Sequence, residues 1–227
     1  MEVVAGETVA GAQNIFFAQL ADPNHTGLFT YGTRFFAGRF ATMMFGLPAA
    51  SLAMYHSIPK QNRKANGGIY FSSALTSFLT GITEPLEYMF LFVAPWLYVV
   101  HAFLDGVSFY VADLLSIRIG NTFSGGLIDF LLFGPLQGNA KTNWIWVIPV
   151  GILWALIYYF VFRFLITKFK VMVHGMHESE TDANMPVAPS GKASTLNDEA
   201  QIIIQALGKQ ANIESVTACT TRLRVSV

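Results

Sequence analysis

Apolar residues in this chain fall into long uninterrupted runs. Phe40–Pro59, FATMMFGLPAASLAMYHSIP, has no Asp, Glu, Lys or Arg, and neither does Trp144–Phe162, WIWVIPVGILWALIYYFVF. Each approaches or reaches the ~20 residues that let a helix cross an apolar layer about 30 Å thick. Trp144, Trp146, Tyr158 and Tyr159 stand near the ends of the second run, as an interfacial belt would. Tyr88–Leu104, YMFLFVAPWLYVVHAFL, is nearly as apolar. Two further stretches are broken up. Ala65–Thr83 is uncharged but rich in Gly, Ser and Thr, and Gly120–Gly134 is interrupted by glycines and carries Asp129. Interrupted segments of this kind predict re-entrant or broken helices beside a solute site. Small residues packed tightly between neighbouring helices would produce the same pattern.

The pattern changes after residue 171. Met172–Ser194 contains ESETDANMPVAPSGKAS and reads as a flexible linker. Beyond it, Asn197 with Asp198 and Glu199 suits a helix start, and Ala200, Ile203, Ile204 and Leu207 recur at helical spacing up to Gly208. IESVTAC is β-prone. In RLRVSV, Leu223, Val225 and Val227 alternate with Arg222, Arg224 and Ser226, the pattern of a half-buried strand. A helix and two strands in so few residues bury too little for a self-sufficient core, which predicts a domain that is cut short. The expected fold is thus an α-helical membrane protein with broken helices, followed by a linker and the start of an α/β domain with an antiparallel sheet. The divisions are a polar loop segment over 1–34, a membrane region over 35–171, a linker over 172–194 and the partial domain over 195–227.

Composition sharpens this. Apolar residues make up 53% of the chain and charged residues 12%, about half the usual soluble share. Lys plus Arg equals Asp plus Glu at 14 each, so no overall basic field exists to hold nucleic acid. Lys60, Arg63 and Lys64 follow the first run, and Arg163, Lys168 and Lys170 follow the last. The positive-inside rule places both flanks in the cytoplasm, although Arg34 and Arg39 at the other end of the first run weigh against it. The opening MEVVAGETVAGAQ carries acids and lacks a basic segment followed by an apolar one, unlike a signal peptide.

Candidate chemistry sits in two places. Gly81-Ile82-Thr83-Glu84-Pro85-Leu86-Glu87 sets two carboxylates between apolar stretches. An acid at bilayer depth costs roughly 2.5–3.5 kcal/mol, and Pro85 and Gly81 favour a chain break. Free backbone groups and a carboxylate there suit a polyol such as a sugar. The same residues also suit a membrane surface, with Glu84 and Glu87 capping a helix that begins after Pro85. The second place is Cys219, the single cysteine, followed by Arg222 and Arg224. Guanidinium groups favour a thiolate and pair with phosphate, whereas a lone cysteine also serves as a small buried hydrophobe. No CxxC or Cys/His pattern supports a metal site. His56, at a membrane edge, and His101, in an apolar run, read as packing or interface residues. His174 and His177 fall in the linker. Asp105, Asp113, Arg118 and Asp129 are candidates for pairing inside the bundle, with the pairs left open.

The run from GLPAASLAMYHSIP through GITEPLEYMFLFVAPWLYVVHAFLDG, with GNTFSGGLIDFLLFG after it, resembles the glucose superfamily of enzyme IIC, the membrane permeases of the bacterial sugar phosphotransferase system. CTTRLRVSV resembles the phosphorylation-site strands of the attached enzyme IIB domain. Glucose-type permeases are most similar, with maltose-type and N-acetylglucosamine-type members next. The resemblance implies that phosphorylated enzyme IIA passes its phosphoryl group to Cys219, that the phosphocysteine phosphorylates the incoming sugar, and that Arg222 and Arg224 support the transfer. It implies sugar binding by Glu84 with Thr83 beside it, while Glu87 and His56 remain secondary candidates. It also implies no cofactor, a homodimer through enzyme IIC, and a multi-pass place in the bacterial cytoplasmic membrane with linker and IIB part in the cytoplasm. No glycine-leucine-histidine-histidine loop occurs, so the chain reads as the C-terminal half of such a permease joined to the start of IIB. A non-phosphorylating transporter or channel with a regulatory tail, and a membrane redox sensor acting through Cys219, are the readings from other classes.

Overall fold

The computed structural model describes residues 1–176, together with 204–205, 207–208, 212, 215–219 and 222–226. Two units form, Met1–Glu178 and Ser179–Val227. The predicted helix start at Asn197, most of the linker, His177, and the side chains of Cys219, Arg222 and Arg224 lie outside the described residues.

The first unit is mainly helical. Residues 1–34, expected as a polar loop, instead open with a hairpin of β1 (Glu2–Val4) and β2 (Glu7–Val9), followed by α1 (Ala12–Ala21). Ala5 and Gly6 both have positive φ, the geometry of the tight turn that matches strand twist. Glu2 ties the hairpin down by accepting from Gln19 Nε2 at 2.9 Å and Thr30 Oγ1 at 2.7 Å. Phe16 of α1 fits edge-on against Phe29 and Phe133 in an aromatic core, which explains why so short a helix is held.

From Arg34 to Ser57 the backbone stays helical, so the run Phe40–Pro59 does form a helical path, though in pieces. A π turn over Thr42–Gly46 interrupts it before α2 (Leu47–Ser57). Pro48 accounts for the widening, because its ring crowds the carbonyl four residues back. Buried Ala50 and Ala53 let α2 approach α7 (Val147–Phe169) closely, and Leu47, Met54, Tyr158 and Phe162 fill the main core.

Ala65–Thr83 breaks only near its end. Residues 65–80 belong to α3 (Lys60–Thr80), a single helix in which several hydroxyls bond the helix backbone, as Thr76 Oγ1 does to the Ser72 carbonyl at 2.8 Å, while Ser77 Oγ donates to the Met43 carbonyl at 2.7 Å. The break falls just after it. Gly81, at φ +73°, ends α3, and α4 (Glu84–Leu91) begins at once. Tyr88–Leu104 is not one span either: α4 stops, Ala94 leaves helical geometry, and α5 (Pro95–Leu114) starts at the proline. Gly120–Gly134 does break as predicted, with an irregular stretch leading into α6 (Leu127–Phe133).

Among the described residues two helices are long and apolar enough to cross a membrane, Pro95–Leu114 and Trp144–Phe169. Val99, Phe103 and Tyr110 on α5, and Phe160 and Phe164 on α7, are exposed, as lipid-facing side chains would be. After α7 the chain turns back through Lys170. Val173 is buried, Tyr70 donates to the His174 carbonyl at 2.7 Å, and Asn62 Nδ2 donates to the Gly175 carbonyl at 3.0 Å. The first linker residues are therefore docked on α3.

In the second unit β3 (Ser215–Cys219) pairs antiparallel with β4 (Arg222–Ser226).

Candidate functional site

The chain crosses itself where α3 ends. Ser124 donates to the Gly81 carbonyl at 2.8 Å. A Cβ on Gly126 would stand 2.5 Å from both Gly81 N and the Thr80 carbonyl carbon, so only glycine admits this approach. Asp129 holds the crossing loop. Its carboxylate accepts from the backbone N–H of Thr122 at 2.8 Å, Phe123 at 2.9 Å and Ser124 at 3.2 Å, and from Thr122 Oγ1 at 2.8 Å. A buried acid with so many donors is structurally satisfied and has little capacity left for a solute. Asp113 pairs with Arg118 at 3.2 Å and Arg34 at 3.7 Å. These contacts resolve pairings that the sequence left open.

Beyond the crossing, α4 carries the predicted carboxylates. It begins at Glu84, one residue before Pro85, and both Glu84 and Glu87 lie in its first turn. There a carboxylate also complements the helix dipole. Thr83 is buried at the N-cap, and its carbonyl accepts from Leu86 N at 3.0 Å and Glu87 N at 2.9 Å. Glu84 is exposed, whereas Glu87 turns inward between Thr83 and His101, with Glu87 Oε1 3.5 Å from His101 Nε2. His101 Nδ1 stands 2.9 Å from the Tyr158 hydroxyl. With the ring proton on Nε2 facing Glu87, Nδ1 is free to accept from Tyr158.

The fold thus sets Thr83 of the predicted pair Glu84 and Thr83, and the secondary candidate Glu87, beside His101, Asp105, Thr42 and Tyr158, and leaves Glu84 exposed. Thr42, Glu87, Tyr98, His101 and Asp105 line a cavity of about 190 Å³. Sequence reasoning treated His101 as packing and left Asp105 unassigned. The signal that could have found them is their i, i+4 spacing on one apolar helix, which puts two polar groups on the same face. His56 does not line this cavity. Its Nδ1 meets the Tyr159 hydroxyl at 2.9 Å and its carbonyl accepts from Arg63 Nη2 at 2.7 Å, near the end of α2. Among the described residues no group of three or more His, Cys, Asp or Glu could hold a metal ion.

In the second unit, register alone is informative. Cys219 pairs with Arg222 and Thr217 with Arg224. Directly opposed residues share a face and alternate residues along a strand do too, so all four positions lie on one face of the hairpin. Val216, Ala218, Leu223 and Val225 take the other.

Residues 2–106 match the family described as Phosphotransferase system, EIIC, and residues 201–227 match phosphotransferase system, EIIB. The two matches support a phosphotransferase-system permease with EIIC joined to EIIB. Such parts imply a membrane protein, a sugar as substrate, an EIIA phosphoryl donor and a transferase role in phosphorylating the sugar. The EIIC match begins at residue 2, so it takes in the hairpin and α1 that the sequence pattern set apart.

Proposed function

We propose that this chain serves the uptake and phosphorylation of glucose at the bacterial cytoplasmic membrane, with Cys219 as phosphoryl carrier. Phosphorylated EIIA gives its phosphoryl group to Cys219: an S–P bond forms as the donor's N–P bond breaks. A sugar hydroxyl oxygen then attacks phosphorus, the S–P bond breaks, the thiolate leaves, and the hydroxyl proton passes to solvent or thiolate. Arg222 and Arg224 offset the charge of the transferring group, and positioning does most of the work. The observation that carries this reading is the strand register, which sets Cys219 opposite Arg222 at the end of the hairpin.

Glu84, with Thr83, binds sugar hydroxyls at the membrane site. A specific observation favours a second assignment: Glu87 lines the cavity beside α5, and Glu84 does not. Maltose and N-acetylglucosamine are the alternative sugars.

The test follows label from phosphorylated EIIA to the protein and on to each sugar. Cys219→Ala is expected to abolish both transfers while sugar binding persists, and transfer retained in that variant overturns the assignment. A hydrogen bond to a charged group is worth roughly 1.5–3 kcal/mol, so removing the charge of the sugar-binding carboxylate should weaken affinity about ten- to a hundredfold. That loss is expected in Glu84→Gln. If it appears only in Glu87→Gln, the second assignment replaces the first.

A further inference from the structure

The cavity beside α5 contains more polar capacity than the protein uses. Thr42 is only 1% exposed, and its hydroxyl finds no hydrogen-bond partner among the described residues. Asp105 Oδ1 is buried in the same condition. Asp105 and Tyr158 both approach the Thr42 hydroxyl, yet neither closes a well-formed bond with it. Buried polar atoms are nearly always paired, and an unpaired carboxylate oxygen in an apolar setting is more costly than an unpaired hydroxyl. Both groups line one small cavity with Glu87 and His101.

The chemistry of the lining narrows the occupant. Asp105 and Glu87 repel an anion. A cation meets the charge of Arg39, which acts on Asp105 from the turn before the cavity. A neutral hydroxyl group meets neither objection. It donates one hydrogen bond and accepts others, so a single hydroxyl can give to Asp105 Oδ1 while taking the Thr42 proton. The cavity, about 190 Å³, lies below the ~300–1,000 Å³ of ordinary ligand pockets and suits part of a small polyol. Tyr98 adds an aromatic wall against the C–H face of such a solute.

We propose that the cavity between the π turn at Thr42–Gly46, α4 and α5 is a sugar subsite in which Thr42 and Asp105 together hold one sugar hydroxyl. His101 is a positioning residue there: held by Tyr158, it keeps the Glu87 carboxylate turned into the cavity. The π turn fits this role, since it is the local widening that aims Thr42 out of the regular helical ladder. The proposal rests on the reading that the chain binds a sugar, and it extends the contact set from α4 to the π turn and α5.

The experiment measures equilibrium binding of glucose, maltose and N-acetylglucosamine to the protein in lipid nanodiscs, then of the monodeoxy analogues of whichever sugar binds. Thr42→Val keeps the shape and removes the hydroxyl; about a five- to tenfold loss of affinity is expected, with Thr42→Ser restoring it. Asp105→Asn should lose about ten- to a hundredfold. One deoxy sugar should bind the unaltered protein more weakly than the parent sugar binds Thr42→Val, because it lacks both the Thr42 and the Asp105 contact, and it should lose little further in either variant. If Thr42→Val lowers every sugar and analogue by one common factor, the residue is structural and the subsite is wrong. Unchanged affinity in both variants, with normal sugar binding by the unaltered protein, overturns the subsite alone. No binding of any of the three sugars by the unaltered protein overturns the sugar reading and the subsite with it.

Discussion

Tyr88–Leu104 and Trp144–Phe162 look alike on paper. Both are free of Asp, Glu, Lys and Arg, and each contains one proline. In the structure the first is cut into α4 and α5, whereas the second lies within one helical path. The position of the proline relative to the helix start separates them. Pro149 is the third residue of α7, where backbone N–H groups have no partner within the helix, so its missing donor removes nothing. Pro95 follows eight residues of established helix in α4 and the short connection Phe92–Ala94, and its ring would strike the carbonyl of Leu91 if the helix ran on. Ala94 takes φ −148° and ψ 80° instead, and α5 starts afresh.

The break has a chemical consequence. On one straight helix Glu87 and His101 would stand about 21 Å apart. Folded back at Phe92–Ala94, they meet at 3.5 Å. The unbroken run contributes Tyr158 to the same cluster, as a rigid wall against which the broken pair is set. Irregular backbone is thus used where polar groups must converge, and regular helix where they need only be supported.

Three substitutions test this contrast. Gly126→Ala should have the largest effect. The added methyl would meet backbone, not a flexible side-chain tip, so the crossing beneath α4 has to shift. We expect a loss of about 3 kcal/mol, read as a fall in Tm of roughly 5–10 °C for protein in detergent. An unchanged Tm would show that the crossing is looser than its geometry implies. Pro95→Ala should cost less, about 0.4–1 kcal/mol, mainly by freeing the unfolded chain. Hydrogen exchange at Phe92 and Val93 should stay fast, because the Glu87–His101 contact requires the break. Protection spreading through those amides would mean that the proline alone holds the break open. Pro149→Ala should change stability by less than about 0.5 kcal/mol in the same melting assay. A larger loss there would remove the explanation offered for the intact helix.

Much of the architecture was legible in the residues. Charge-free runs marked the last long helix, Gly81 and Pro85 marked the end of α3 and the start of α4, and the alternation in RLRVSV marked a strand that does form. Other features were not. Ala65–Thr83 looked fragmented throughout because glycines and serines weaken a helix in isolation, yet Tyr70, Ser73 and Ser77 are buried against neighbours and α3 stays whole up to the break at Gly81. The opening segment looked like a loop because its apolar residues are sparse, but Phe16 and Phe29 anchor it against Phe133 and Glu2 ties its hairpin to Gln19 and Thr30. Met172–Met176 opened the linker in the pattern, and only the contacts of His174 and Gly175 with α3 revealed a docked stretch of chain.

Local composition and spacing determined which stretches are apolar enough for a membrane, where the backbone must break, and that Cys219 and two arginines fall within one hairpin. These follow from properties each residue carries with it: side-chain hydrophobicity, fixed or free φ, and strand periodicity. Tertiary structure decided which carboxylate faces inward. Glu84 and Glu87 share a helical turn and a chemistry, so nothing local distinguishes them. Their difference comes from α5 folding back to place His101 within reach of one and leave the other exposed, and contacts between segments distant in the chain have no signature in either segment alone.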